Sequence, residues 1–504
     1  MTRRSGREKR SISAVTQLPW RTVVNPYTPV EVLSADHIEA IIDVALTVLE
    51  QRGMLFLEAD SRRLMRAAGA DCDETTMMVR FDRALVLEKL ALAPREFGLR
   101  ARNPAHDLHI GGRHVIFVGV GGPAFTSDLD RGRRPGNYAE QCDYLRLIQS
   151  LNIIHQEGGG PFEAMDLPAE SRHLDLYLAQ LRLTDKNCQA YALGRERTID
   201  CIEMTCLALG VDRAALALDP AIMAIVNTNS PMQLDIPMTE AVFELASAGQ
   251  VTCITPFTLA GSMSPATIAG TLAQQTAEVL AVATLAQSIK AGAPIVYGSF
   301  SSNVDMRSGA PALGTPEYTK AAFASGQIAR RLGIPMRSSN TTSSNCVDAQ
   351  AAYESQMSLW GSIMGGANII NHGAGWLENG LTGSFEKLIV DAEMLQMMAE
   401  VLRPIEVNTD QLALDAILDV GPGGHHFGTA HTLARFETAF YEPLLSTRQN
   451  FENWKEAGSL DAAQRANTLW KKLLEDYQQP ALDPAIDEAL VDYATRRKRQ
   501  IGVG

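Results

Sequence analysis

The stretch Ala293–Glu317, APIVYGSFSSNVDMRSGAPALGTPE, decides the predicted fold. Its apolar run Ile295–Tyr297 follows a turn containing glycine and proline, which predicts a buried strand. A loop of small and polar residues comes next. Thr315, Pro316 and Glu317 then predict a helix start, because a capping hydroxyl, a proline at the first helical position and an acid in the first turn agree. Strand, long loop and helix form the repeating unit of (β/α) enzymes.

The same unit recurs along the chain. The predicted strands are Val115–Val118, Ile153–Gln156, Asn187–Ala192, Met223–Asn227, Val251–Thr255, Pro294–Tyr297, Pro335–Ser338 and Ala367–Asn371. The predicted helices between and after them are Glu140–Gln149, Leu174–Leu183, Thr198–Leu209, Thr239–Ala248, Pro265–Lys290, Pro316–Leu332, Ala349–Met364 and Phe385–Leu402. Eight such units predict an α/β fold, a (β/α)8 TIM barrel. A doubly wound open sheet is the alternative, because a sequence pattern does not establish closure.

We expect three parts in the chain. Residues 1–110 should form an N-terminal tail and helical cap, with the first 20 or so residues flexible. Residues 111–405 should form the barrel. Residues 406–504 should form a glycine loop and a C-terminal helical cap that packs against the barrel.

Composition excludes several classes of function. The chain has 504 residues, of which 46% are hydrophobic and 20% charged, as in ordinary globular proteins. A net charge of -13 argues against nucleic acid and against anionic membranes as partners. The seven cysteines contain no CxxC pair, so neither a disulfide framework nor a zinc finger is indicated. We find no uninterrupted apolar run of membrane-spanning length and no apolar core of a secretion signal, so we expect a soluble, cytoplasmic protein.

The candidate pocket consists of residues that follow the predicted strands, because barrel active sites lie at the carboxyl ends of strands. They are glycines, amides, hydroxyls and aromatics with few charges. Such a set does not suit a phosphate, and it suits a cationic ligand held by aromatic rings and a carboxylate. The candidates from this reasoning are Glu157, Tyr191, Asn227, Asn229, Phe257, Tyr297, Ser299, Phe300, Asn340, His372, Trp376 and Glu378.

Each candidate has a simpler structural interpretation. A single aromatic at a strand end is often loop packing, whereas several converging rings would favour a cage that contributes about 0.5–2 kcal/mol per ring. His372 could bind an anionic group, act in catalysis or hydrogen-bond to a neighbour. Glu157, which precedes three glycines, is the best acidic candidate, and Glu378 is the next.

Two further motifs contain histidine. Asp107–Gly112, DLHIGG, matches the DxHxxG signature with which cobalamin carriers bind a corrinoid, but the flanking sequence predicts a turn before the first barrel strand. Gly423, Gly424, His425 and His426 lie in a glycine-rich loop. Adjacent histidines without an acidic or cysteine partner favour a hydrogen-bonding or lid role over a metal site. We therefore predict no metal site.

Several stretches together resemble one known family. GSFSSNVDMRSGAPALGTPE (298–317), GAGWLENGLTGSFEKLIVDAEML (373–395) and residues 419–459 are similar to the trimethylamine methyltransferase family. RNPAHDLHIGG (102–112) and IHQEGGGP (154–161) extend the resemblance over most of the chain.

The resemblance implies a (β/α)8 barrel that moves a methyl group from a methylated amine to the cobalt of a separate corrinoid protein. Founding members of the family carry pyrrolysine at the end of a late barrel strand. In this sequence the corresponding region, residues 334–342, has only standard residues, with Arg337 or a neighbour near the special position. Relatives without pyrrolysine are similar to glycine betaine methyltransferase and act on quaternary amines.

The resemblance therefore implies cobalamin carried by a partner corrinoid protein, a quaternary or tertiary methylamine as substrate, and a homo-oligomer. We predict Glu157, Tyr297, Arg337 and His372 as catalytic residues, and we expect the glycine loop with Gly423, Gly424, His425 and His426 to contact the cofactor. Trimethylamine as substrate and a non-catalytic sensor of quaternary amines remain alternatives. A lyase or aldolase would need a Schiff-base lysine, and no predicted strand carries a lysine.

Overall fold

The structure is a computed structural model that describes Val15 and residues 17–502. Eight strands, numbered in chain order, form its main sheet: β1 His114–Gly119, β2 Gln156–Glu157, β3 Asn187–Cys188, β4 Met223–Thr228, β5 Val251–Pro256, β6 Ile295–Gly298, β7 Met336–Ser339 and β8 Ile369–Ala374. Each is followed by a long helix: α1 Tyr138–Ser150, α2 Arg172–Leu183, α3 Arg195–Leu209, α4 Ile236–Ser247, α5 Ile268–Ile289, α6 Pro316–Leu332, α7 Ala349–Gly365 and α8 Phe385–Val401. The expected flexible tail lies almost entirely outside the described residues.

The eight strands are parallel and lie in the order β3-β2-β1-β8-β7-β6-β5-β4. Apart from β3 and β4, chain neighbours are therefore sheet neighbours, and β8 returns to pair with β1. At the two ends of this order, Gln189 and Met223 form an isolated parallel bridge. The predicted α/β class, strand number and strand–helix alternation are confirmed, with most bounds within a few residues of those expected.

The sheet has apolar packing on both faces. The larger core lies between the strands and the surrounding helices, where the centre of α5 is buried on every side. The smaller core lies on the inner face, where Ile116, Val118, Val251, Cys253, Val296 and Ile369 meet. A hairpin of strands Glu96–Leu99 and Leu108–Gly111 adds Leu99, Leu108 and Ile110 to this inner core. The hairpin therefore plugs the end of the sheet at which the strands begin.

The N-terminal part contains both helices and strands, whereas we expected a purely helical cap. Its helices Ala35–Gln51, Ala59–Ala67 and Arg83–Leu90 all pack against α5. Three short strands accompany them, Met54–Phe56, Asp71–Asp73 and Met78–Arg80. Met54–Phe56 pairs with Gln233–Leu234, a short strand in the loop after β4. The N-terminal part is thus tied to a loop at the carboxyl edge of the sheet.

The C-terminal part returns to the outside of the helices. Helix Ala462–Glu475 packs on α8, where the Trp470 indole donates to the Glu386 carboxylate at 2.9 Å. Helix Pro484–Ile501 packs on α2 and α3, where the Tyr493 hydroxyl donates to Asp200 at 2.7 Å. The remaining α-helices are Arg213–Leu216, Thr409–Leu412, Leu414–Asp419, Ala430–Leu433 and Phe451–Glu456.

The other strands are short. They are Val23–Val24, Phe125–Asp128, Gly132–Pro135, Leu259–Ala260, Ser302–Val304, Pro311–Ala312, Trp376–Leu377 and Thr382–Ser384. Of the helices in the described part of the chain, none is both long and apolar enough to cross a membrane.

The hairpin plug gives a test of this packing. Ile110→Ala should lower the free energy of unfolding by about 2–5 kcal/mol, because the side chain is fully buried in the inner core and its loss leaves a cavity. Denaturant unfolding followed by circular dichroism measures the change. Leu218→Ala, at a side chain that is 87% exposed, is the control and should change little. Equal effects of the two substitutions would contradict the plug.

Candidate functional site

A cavity of about 710 Å³ lies at the carboxyl edge of the sheet. Its walls come from the ends of all eight strands and the loops that follow them. The lining residues include Gly121, Gly158, Gln189, Tyr191, Asn227, Asn229, Thr255, Phe257, Phe300, Arg337, Asn371, His372 and Trp376. Its volume is in the range typical of small-molecule sites.

Arg337 brings a positive charge to the inner part of this cavity. Its side chain is almost completely buried at 1% exposure, on the inward face of β7. The atoms Nε and Nη1 have no hydrogen-bond partner among the described residues. The guanidinium carbon lies 4.9 Å from the centre of the Phe300 ring, a cation–π contact. Burial lowers the pKa of Arg337 from its usual value, yet a guanidinium remains charged at ordinary pH.

His372 lies beside Arg337 as a neutral imidazole. Burial, followed by the charge of Arg337, holds the pKa of His372 well below its usual value. The Gln189 amide donates to Asn371 Oδ1 at 2.8 Å, so the Asn371 amide nitrogen donates to His372 Nε2 at 3.2 Å. His372 Nδ1 therefore carries the proton and faces Ser339 Oγ at 3.3 Å. This chain of amides fixes both the ring orientation and the tautomer.

Aromatic rings form one wall of the cavity. The ring centres of Phe257 and Phe300 are 5.1 Å apart, and the centres of Phe300 and Trp376 are 6.0 Å apart, edge to face. Trp376 also lies 4.2 Å from His372. Tyr191 lines the cavity from another loop, and its hydroxyl is contacted by the Gln141 amide at 3.3 Å. Several rings therefore converge, the condition under which sequence reasoning favours a cage.

Glu157 holds the glycine loop at the edge of the cavity and does not itself line it. Its buried carboxylate accepts from the backbone N–H groups of Gly159 at 2.7 Å and Gly160 at 2.8 Å. Burial raises the pKa of Glu157 to about 7, although the same N–H groups act in the opposite direction. At Gly160, where φ is +94°, the β-carbon of any other residue would collide with the Tyr191 hydroxyl. The loop therefore requires glycine there.

Four other predicted site residues lie outside the cavity wall. Tyr297 points outward from β6, where its hydroxyl bonds to Gln275 and Thr276 of α5 at 2.8 Å. Ser299 Oγ donates to Ser325 of α6 at 2.9 Å. These side chains face the helices because strand residues alternate between the two faces, and the sequence did not indicate which face was inward.

The other two residues hold the backbone together. The Asn340 amide donates to the Gly373 carbonyl at 2.9 Å and so ties β7 to β8. Glu378 pairs with Arg133 at 2.7 Å and accepts from Thr382 at 2.5 Å, which fixes the loop after β8. Of the predicted residues, the cavity brings together Tyr191, Asn227, Asn229, Phe257, Phe300, Arg337, His372 and Trp376.

The two histidine motifs also lie away from the cavity. Gly423, Gly424, His425 and His426 are exposed in the segment after α8, and none of them lines the cavity. His109, in the DxHxxG match, lies in the hairpin at the opposite edge of the sheet and bonds to Glu96 at 2.8 Å. Ligand atoms of Glu96, His109 and His114 lie within 4.8 Å of one another, a group that sequence analysis did not anticipate.

Sequence reasoning missed several residues that line the cavity. Gln189, Asn371 and Thr255 project inward, and Glu163 lies at the rim, where it pairs with Arg172 at 2.8 Å. Thr255 and Asn371 end predicted strands, whereas Gln189 lies inside the predicted strand Asn187–Ala192 and Glu163 lies in the loop after Ile153–Gln156. The only signal in the sequence was a position within or near the end of a predicted strand. Amides and hydroxyls are common at such positions, so these residues could not be selected without knowing which side chains point into the cavity.

The arrangement can bind a small molecule that carries opposite charges at its two ends. An unpaired guanidinium suits a carboxylate, which takes two parallel hydrogen bonds from arginine. The aromatic wall suits a quaternary ammonium group. The neutral His372 and the amides of Gln189 and Asn371 can orient such a molecule without adding charge.

Comparison with known proteins decides the family. The sequence profile described as trimethylamine methyltransferase (MTTB) matches residues 1–502. The chain belongs to the trimethylamine methyltransferase family. This is a family of methyltransferase enzymes, and the resemblance stated from the sequence is confirmed.

Relatives within the family differ in their named substrates. The chain is 35% identical to a protein of Desulfitobacterium hafniense strain Y51 named glycine betaine methyltransferase, over 94% of this chain and 98% of that protein. It is 27% identical to trimethylamine methyltransferase MttB of D. hafniense strain DSM 10664 / DCB-2, over 93% of this chain and 94% of that protein. The solved structure of a hydroxylamine complex of MtmB aligns with a TM-score of 0.47 at 12% identity, covering 88% of this chain and 94% of that one.

The raised pKa of Glu157 gives a prediction for stability. Between pH 4.5 and about 7 the folded protein binds this proton more tightly than the unfolded chain does. The stabilisation is therefore complete below pH 4.5 and is lost as the pH rises through about 7. Relative to Glu157→Gln, the free energy of unfolding of the wild type should fall on the order of 2–3 kcal/mol across this window. Denaturant unfolding at a series of pH values measures the difference, and a flat difference would contradict the assignment.

Proposed function

We propose that this protein transfers a methyl group from a small quaternary amine of the glycine betaine type to cob(I)alamin carried by a partner corrinoid protein. The observation that carries the proposal is the unpaired, buried guanidinium of Arg337 beside an aromatic wall. The relative that is 35% identical is named for glycine betaine, a molecule with a carboxylate at one end and a trimethylammonium group at the other.

The charges of the cavity favour this substrate over trimethylamine. A positive guanidinium next to Phe300 repels a simple alkylammonium ion, whereas a substrate carboxylate between the two charges removes the repulsion. Arg337 is almost fully buried on the inward face of β7, so it would hold the carboxylate inward. The N-methyl groups would then face Phe257, Phe300 and Trp376 and the mouth of the cavity.

A quaternary substrate removes the need for an acid or a covalent adduct. The bond between nitrogen and one methyl carbon breaks, and its electron pair stays on nitrogen, so that a neutral tertiary amine leaves. The methyl carbon forms a bond to the acceptor, and no proton is transferred. The protein's contribution is to exclude water, to hold the substrate in line with the acceptor and to stabilise its cation. His372, being neutral, would position the carboxylate with Arg337.

We expect a large flat acceptor to dock at the mouth of the cavity. Gly121, Gly122, Gly158 and Gly159 line it without side chains. A β-carbon at Gly122 would point into open space, so nothing in the described structure fills this part of the rim. When it is docked, the corrinoid supplies a cobalt nucleophile that accepts the methyl group. The glycine rim would let it approach the N-methyl group closely.

We also infer that the eight strands close into a (β/α)8 barrel. The Gln189–Met223 bridge and the hydrogen bond from the Ala190 N–H to the Met223 carbonyl at 3.0 Å support closure. The part boundaries at residues 110 and 405 belong to the same proposal. So do the catalytic and substrate-binding roles of those predicted residues that line the cavity.

The proposed activity is tested by anaerobic incubation with glycine betaine and reduced cobalamin, free or on the cognate corrinoid protein. We expect the absorbance of cob(I)alamin to be replaced by that of methylcobalamin, with one equivalent of dimethylglycine formed. If only a different quaternary amine were converted, the assigned substrate would change and the proposed mechanism would stand. Failure with every quaternary amine, even with the corrinoid protein present, would overturn the enzyme proposal.

Arg337 gives a test of substrate recognition. Arg337→Met should weaken glycine betaine binding about 100-fold or more, because a buried charged hydrogen bond to the carboxylate is lost. Tetramethylammonium, which has no carboxylate, should bind the variant as well as or better than the wild type, because the repulsion is removed. Isothermal titration calorimetry measures both.

His425→Ala, at an exposed residue outside the cavity, is the control for this titration. Unchanged binding of glycine betaine to Arg337→Met would contradict the assigned orientation, whether or not methyl transfer is observed.

A further inference from the structure

Three side chains with metal-binding atoms meet where the hairpin plug joins the main sheet. Glu96 lies on the first hairpin strand, His109 lies on the second, and His114 is the first residue of β1. One ligand atom from each of the three lies within 4.8 Å of the other two. None of these residues lines the cavity at the carboxyl edge of the sheet, so the candidate active site does not explain the group.

The hairpin register places two of these side chains on one face. Phe97 pairs with Ile110, and both pack on the inner core. Because side chains alternate along a strand, the neighbouring Glu96 and His109 both point to the opposite face. They are diagonal neighbours in the register, and Glu96 Oε2 lies 2.8 Å from His109 Nε2.

A turn with two glycines brings the third side chain to the same place. Gly111 and Gly112 lead the chain from His109 to His114 and have φ values of +120° and +53°, which glycine adopts without strain. A β-carbon at Gly112 would lie 3.0 Å from Glu96 Oε2, so the turn packs directly against the carboxylate. The ring centres of His109 and His114 are then only 4.3 Å apart.

An ion pair between Glu96 and His109 does not account for His114. The Nδ1 atom of His114 is buried and has no hydrogen-bond partner among the described residues. Such atoms are rare in folded proteins, because a buried polar group loses its hydrogen bonds to water and normally gains others. This nitrogen is therefore available as a ligand for an ion.

We propose that Glu96, His109 and His114 bind a zinc ion, with a water molecule as the fourth ligand. Zn²⁺ takes imidazole nitrogen and carboxylate oxygen at about 2.0–2.2 Å in tetrahedral geometry, which places ligand atoms about 3.3 Å apart. The carboxylate–imidazole contact of 2.8 Å would open slightly, and the other separations, all within 4.8 Å, would close. The ion would displace the proton between Glu96 and His109 to solvent, because metal ligands must be deprotonated.

The choice of ion follows from the ligands and their exposure. Imidazole nitrogen suits zinc, whereas magnesium and calcium prefer oxygen ligands alone. The side chains of Glu96 and His109 are 50% and 41% exposed, which gives the ion and its water access from solvent. The expectation of no metal site rested on the adjacent His425 and His426 and does not apply to this group.

The ion would fasten the hairpin plug to the sheet. Two ligands belong to the hairpin and one to β1, so a bound ion would cross-link them on the face opposite the inner core. This inference does not depend on the proposed function, because the ligands lie at the edge of the sheet opposite the cavity.

The test measures zinc binding by the full-length protein after chelator treatment and removal of the chelator. Isothermal titration calorimetry with zinc chloride should give a single zinc ion per chain for the wild type. His109→Ala and His114→Ala should each weaken binding by about 100-fold or more, since even an outer partner of a metal ligand contributes about 10–100-fold. His37→Ala, at an exposed histidine of the helix Ala35–Gln51, is the matched control and should bind like the wild type.

Thermal unfolding keeps the test decisive if a histidine variant folds poorly. An ion that binds only the folded protein raises the unfolding midpoint by an amount that grows with its concentration. We expect this rise in the wild type and in His37→Ala, and its loss in Glu96→Gln, which keeps the size of an exposed side chain.

Two results would overturn the proposal. One is a wild type that binds no zinc and whose midpoint does not rise with zinc. The other is binding that the three ligand variants retain, which would assign the ion to other residues. Neither result bears on methyl transfer, which the assay with glycine betaine tests separately.

Discussion

The cavity depends on a buried positive charge that the described residues leave without a hydrogen-bonded counter-charge. Arg337 is almost fully buried on an inward face of the sheet, and two of its nitrogens lack hydrogen-bond partners. Burying an unpaired charge is expensive, so the rest of the fold must stabilise a site that is itself unfavourable. Such a site is completed by an anionic ligand. In this account the substrate carboxylate supplies the missing partner, and the free energy of that pairing contributes to recognition.

Buried carboxylates hold the loops around this charge. Glu157 accepts from the glycine loop after β2, and Glu278 of α5 accepts from the Met232 N–H at 3.0 Å in the loop after β4. Glu354 of α7 accepts from the Ser343 N–H at 2.8 Å after β7, and Asp391 of α8 accepts from the Gly375 N–H at 2.8 Å after β8. Because these loops are fixed from behind, ligand binding need not order them. Lys387 in turn pairs with Asp391 at 2.5 Å.

The sequence predicted the repeating architecture well, because strand and helix periodicities are local properties. The stretch Ala293–Glu317 contains β6 and the start of α6 as expected, including the Thr315 cap that accepts from Tyr318. The direction of single side chains was not predictable to the same degree. Tyr297 and Phe300 were equally plausible as ring walls, yet Tyr297 faces α5 and only Phe300 reaches the cavity. The sequence does not show that the strand residue Tyr297 faces the helices while Phe300, in the loop after β6, turns inward.

The segment after α8, residues 403–443, was the least predictable part. We expected a helical cap after the glycine loop, whereas the apolar residues between positions 429 and 440 form only the short helix Ala430–Leu433. The reason is physical, since those apolar residues have no core within their own chain to pack against. The glycine loop with His425 and His426, which we expected to contact the cofactor, lies in this segment and does not line the cavity.

The most direct test of the central claim is a structure of the protein with glycine betaine bound. The account predicts the carboxylate against the Arg337 guanidinium at hydrogen-bond distance, with the trimethylammonium group against the rings of Phe257, Phe300 and Trp376 and one methyl group facing the mouth. A substrate bound in the reverse direction, or bound outside this cavity, would contradict it.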